Sequence, residues 1–154
     1  IGGEGDTSGS EFTSHHIGSI DFIFAVNASH PLCNEQQPIT NLMIKKYPSI
    51  VVADSSRDLP TRSVGLLDGQ ARITVPNIEK KIEAHCKGIG VGYLPAHRIT
   101  REVNSGELVA LSLKGRENRQ HDLYIAWGKR NKGKALAWFV NKLQQMDMNE
   151  LLDH

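Results

Sequence analysis

The chain has 154 residues, 39% of them apolar, enough to bury a core for one domain or two small lobes. Eighteen basic side chains against seventeen acidic ones leave a net charge of +1, which excludes the broad positive field that neutralises nucleic-acid phosphates, so this fragment is not expected to bind DNA by itself. Two cysteines, Cys33 and Cys86, stand in no metal-ligand spacing, and the longest apolar stretch, residues 20–26, is far too short for a membrane span, so the expectation is a soluble cytoplasmic protein with two free thiols.

The chain opens without a methionine on Ile1-Gly2-Gly3, which reads as the end of a buried strand in a protein cut from something longer. Residues 4–14 are rich in glycine, serine and threonine and show no period, which predicts a loop or linker, with His15 and His16 its solvated continuation. Residues 20–26 are apolar apart from Asp21 and rich in β-branched and aromatic types, as in a strand covered on both faces. A short helix over 40–46 ends at Tyr47-Pro48, because proline disfavours helix in the residue before it. Residues 49–53 are the next strand, and the polar segment Asp54-Ser55-Ser56-Arg57-Asp58 follows at its carboxyl end, where open α/β sheets place ligand loops.

Asp68-Gly69, between residues 64–67 and 73–75, is a tight-turn signal that suits a hairpin or a strand-turn-strand connection. Pro76-Asn77 opens a helix with Asn77 as cap; Ile78, Ile82 and Cys86 form its core face and Gly88 stops it. A strand over 91–94 closes at Pro95, a helix covers 96–103, and strands follow at 108–113 and 123–127. In the last helix, starting near Gly133, Leu136, Phe139, Val140 and Leu143 make an apolar stripe that should pack on a sheet, while Trp127 and Trp138 read as core or interface. Strands alternating with helices of this size predict an α/β fold with a mainly parallel sheet.

The run over 73–95, Ile-Thr-Val-Pro-Asn-Ile-Glu-Lys-Lys-Ile-Glu-Ala-His-Cys-Lys-Gly-Ile-Gly-Val-Gly-Tyr-Leu-Pro, resembles the stretch of LysR-type transcription regulators in which a helix ends in Gly-hydrophobic-Gly before a strand closed by Leu-Pro. Ile1-Gly2-Gly3, Val26-Asn27-Ala28-Ser29-His30-Pro31-Leu32, Gly106-Glu107-Leu108-Val109 and Ala126-Trp127 with its terminal helix stand around it in the family's order. Arg57-Asp58-Leu59-Pro60 and Leu66-Leu67-Asp68-Gly69-Gln70 resemble the subgroup that includes regulators of purine and allantoin metabolism.

The resemblance implies a periplasmic-binding-protein-like (type 2) two-lobed sensor with a small polar effector in the inter-lobe cleft. The second lobe, residues 25–110, is complete; residues 1–24 are a remnant of the first lobe and its crossover, and 111–154 its returning part. It also implies a homo-oligomer that meets DNA only through a winged helix-turn-helix preceding this chain, with no membrane and no cofactor. Gly2, Gly3, Glu4, Ser55, Ser56, Arg57 and Asn77 are then the effector-binding candidates. Their chemistry fits: the serine hydroxyls donate and accept, amides at a helix start favour an anion, and a guanidinium reads carboxylates with two parallel bonds. The plainer alternative is that the serines only shape a turn, Arg57 pairs with Asp54 or Asp58, and Asn77 only caps its helix.

A solute-binding protein of a transport system would share the lobes, but no export signal or lipoprotein cysteine is visible. No nucleophile with base, no metal-ligand set and no phosphate loop can be assembled, so no catalytic residue, metal or enzyme activity is expected. Neighbouring His85 and Cys86 do not face each other on a helix, and the basic cluster over 129–134 reads as a solvated turn.

Overall fold

A computed structural model describes residues 2–3, 12–53, 67–115, 119–130 and 133–145. In chain order the elements are β1 (Gly2–Gly3), β2 (Phe12–Asn27), α1 (Asn41–Ile44), β3 (Ser49–Val52), β4 (Arg72–Val75), α2 (Ile78–Cys86), β5 (Gly92–Pro95), α3 (Thr100–Asn104), β6 (Leu108–Ala110), β7 (Arg119–Gly128) and α4 (Lys134–Gln144). The fold is α/β. The chain forms two compact units, one of Phe22–Arg119 and one of Ile1–Asp21 with Gln120–His154.

In the first of these, the side-chain alternation of a strand sorts residues onto two faces. Phe22, Phe24 and Val26 of β2 join Tyr93 of β5 and Val109 of β6 in one apolar cluster, with Leu32, Ile39, Ile44, Leu67, Val91, Leu111 and Leu113. Ile23 and Ala25 turn the other way, to Leu94, Ile99 and Leu108, against which Ile78, Ile82 and Cys86 of α2 pack. The expected core face of α2 is therefore the observed one, and Phe24, Ala25 and Val26 are buried as a doubly covered strand requires.

The pairing departs from a mainly parallel sheet. β3 and β4 are parallel, but β2 runs antiparallel to both β5 and β6. Apolarity along a strand does not fix the direction of its neighbours, which is set by the partners it finds in the folded unit. β3 joins the start of β5 through the parallel Ser49–Val91 bridge.

That junction explains the glycine run quoted above. Gly88, with φ +67°, takes the left-handed position just after α2, where glycine avoids a Cβ penalty. Gly90 is needed for space: a Cβ there would stand 2.5 Å from the Pro48 carbonyl oxygen and 3.0 Å from Ile50. The close approach lets Val91 donate to Pro48 and Ile50 donate to Val91, at 2.9 and 3.0 Å.

In the other unit, β7 lies between β1 and β2, with Gly2 and Gly3 opposite Tyr124 and Leu123. The linker expectation fails over residues 12–16, which are strand: pairing with distant partners overrides their polar composition. His16 stacks edge-on to Tyr124 at 5.4 Å and stands 3.4 Å from Asp122.

Three further expectations are corrected. The helix over 96–103 breaks into a 3₁₀ turn, Ala96–Arg98, and the short α3, because Ile99 between them is fully buried and leaves helical geometry at φ −121°, ψ 14°. The strand over 108–113 ends at Ala110, after which Leu111 bonds Phe24 and Leu113 bridges Ile39. On α4, Leu136, Val140 and Leu143 are half-buried, but Phe139 of the expected stripe is 54% exposed and Trp138 67% exposed. As for the suggested hairpin at Asp68-Gly69, β4 finds its partner in β3, and residues 64–66 lie outside the described ones.

Candidate functional site

β3 and β4 run in register from Ser49–Arg72 to Val52–Val75, and Ala53 donates to the Val75 carbonyl at 2.8 Å, so both strands end at one level. From that level the chain leaves β4 through Pro76 toward Asn77. The start of α2 thus lies at the carboxyl ends of parallel strands, the position where α/β folds accommodate ligands.

At the start of α2, Asn77 is extended, with φ −155° and ψ 176°. Its Oδ1 accepts the Lys80 amide at 2.9 Å, and its carbonyl accepts the Lys81 amide at 3.1 Å. The Glu79 carboxylate is held below its usual range by its own backbone amide, and further by Arg98, which donates to it at 2.8 Å. The first-turn amides expected to favour an anion are therefore largely taken by the chain's own groups.

One cation of α2 differs from the others. Lys80 and Lys87 both bind Glu83, at 2.6 and 2.5 Å, and their hydrogen bonds hold that carboxyl at about 2. Lys81 is partly buried, has no carboxylate among the described residues, and burial pushes its ammonium down to about 8. One turn on, His85 is fully buried, and burial drives its imidazole down to about 4 despite the contact of Nδ1 with the Ala25 carbonyl.

The LysR substrate binding domain model matches residues 2–147. The chain belongs to this family. Among its relatives, the HTH-type transcriptional regulator YeeY of Escherichia coli is 32% identical over 136 residues, covering 88% of this chain and 44% of YeeY. The HTH-type transcriptional activator AllS of Salmonella typhimurium is 33% identical over 129 residues, covering 84% and 42%. The chain thus spans less than half the length of these LysR-family relatives. Among solved structures, full-length LysG of Corynebacterium glutamicum superposes with a TM-score of 0.66 at 17% identity, over 91% of this chain and 46% of that one. The regulatory domain of MetR from N. meningitidis gives 0.69 at 14% identity, over 92% and 64%. The fold is that of LysR regulatory domains.

Of the seven candidates in this LysR-family chain, Gly2 and Gly3 form β1 in one unit and Asn77 caps α2 in the other. Glu4, Ser55, Ser56 and Arg57 lie outside the described residues. Sequence reasoning missed Lys81, although its place four residues before His85 and beside Ile78 on the helix marks it as inward-facing. It also missed Gln70, a buried side chain that donates to the Ile44 and Tyr47 carbonyls and accepts from the Leu67 amide. The Cys86 thiol is raised to about 11 by burial and by Glu107 and Glu102, so it is no nucleophile at neutral pH. Among the described residues no three histidine, cysteine or acidic side chains converge as metal ligands, and no helix is long and apolar enough to cross a membrane.

Proposed function

We propose that this chain is the effector-sensing region of a LysR-type transcription regulator, taking a small polar metabolite at the carboxyl ends of β3 and β4. The observation that supports the reading is the shared level at which Ala53 and Val75 end, with the Asn77 cap following β4 there; Ser55, Ser56 and Arg57 follow Ala53 in sequence. In this reading residues 25–110 are the second lobe, residues 1–24 and 111–154 belong to the first, and Gly2, Gly3 and Glu4 complete the site from the first lobe.

The curated relatives named above are regulators, and LysG of Corynebacterium glutamicum has been solved with bound effector Arg. By analogy, the whole protein is a cytoplasmic homo-oligomer that contacts DNA through a helix-turn-helix segment outside this chain. A metabolite then acts by binding two arrangements of that oligomer with different affinity.

The test is calorimetry of the full-length regulator against nitrogen-rich metabolites, paired with operator binding in their presence. A ligand that binds without turnover and changes DNA affinity supports the proposal, and consumption of the ligand would overturn it. Arg57→Ala is expected to weaken effector binding without unfolding; unchanged affinity removes Arg57 from the site.

A further inference from the structure

We draw no further inference here: the strongest candidate, the apolar groove of about 450 Å³ that Trp127 forms with Leu136, Ala137 and Val140 of α4, on the helix that also exposes Trp138 and Phe139, carries nothing because nothing in the structure shows what covers it.

Discussion

The Nδ1 atom of His85 stands 2.9 Å from the carbonyl oxygen of Ala25, joining α2 to β2 across 60 residues of sequence. A carbonyl can only accept, so the ring carries a proton on Nδ1, and burial keeps the ring neutral. Burial holds its folded-state titration at about 4, against an ordinary value of 6.5. A depressed value means the unfolded chain binds the extra proton more readily, so this stability is present above pH 6.5 and is lost as pH falls toward 4. His30, also lowered by burial, acts in the same direction. Urea unfolding should show a loss on the order of 3 kcal/mol between pH 7 and 4. His85→Gln, which can still donate to Ala25 but does not titrate, should flatten that slope; an unchanged slope removes His85 as its origin.

Gly90→Ala should destabilise the fold by about 2–3 kcal/mol, because its Cβ would meet the Pro48 carbonyl, a backbone atom that cannot rotate away. Gly106→Ala is a useful comparison: nothing stands within 4 Å of its Cβ, and its cost comes only from φ +76°. Denaturant midpoints of the two variants separate crowding from conformation, and equal losses would contradict the account of the β3–β5 junction.

Gln70 ties the turn before β4 to the end of α1 through three backbone groups, donating to Ile44 and Tyr47 and accepting from Leu67. Gln70→Leu strips the Leu67 amide and the Tyr47 carbonyl of this partner, while the Ile44 carbonyl still accepts from the Tyr47 amide, and should cost about 2–3 kcal/mol. Gln70→Glu should cost more at neutral pH, since a carboxylate facing two carbonyl oxygens offers no donor. Thermal unfolding of the pair checks the order, and a Glu variant as stable as the parent would refute the clamp.

What the sequence made legible follows from how local each signal is. The α2 stripe, its Asn77 cap and the Gly88 stop are written within a dozen residues, and all three appear as expected. Phe12 to His16 escaped because a polar strand is made by its partner β7, about a hundred residues away, not by its own composition. The break at Ile99 escaped because it depends on burial among Leu94 and Leu108. Lys81 reads as a surface lysine by type, and the signal against that is its place beside Ile78 on the helix, which leaves it half-buried.

Asn77 has a structural duty that can be separated from ligand binding. Asn77→Ala removes the acceptor for the Lys80 amide and should cost about 1 kcal/mol, whereas Asn77→Asp keeps the acceptor and should leave stability nearly unchanged. If Asn77 also contacts an anionic effector, Asn77→Asp should weaken that effector by repulsion while the helix stays intact. Calorimetry with the full-length regulator reads the affinity, and unfolding of this chain reads the cap. A stable Asp variant with unchanged affinity assigns Asn77 to capping alone.

Lys81→Met tests whether the half-buried ammonium opposes folding. Burial lowers the folded-state titration of Lys81 to about 8 from an ordinary 10.5, so the group's favourable contribution is present only above pH 10.5 and is lost as pH falls through 8. At pH 7 the charged ammonium is therefore a net cost to folding. Discounted for partial exposure, replacing it by an apolar side chain of similar length should stabilise the chain by about 1–2 kcal/mol at pH 7. The advantage should shrink as pH rises from 8 toward 10.5, where the unmutated chain sheds the charge on its own. Urea midpoints of the two proteins at pH 7 and pH 10 measure both halves of this. A Met variant that is less stable at pH 7, or whose advantage does not depend on pH, would mean that the Lys81 charge is already compensated in the folded chain.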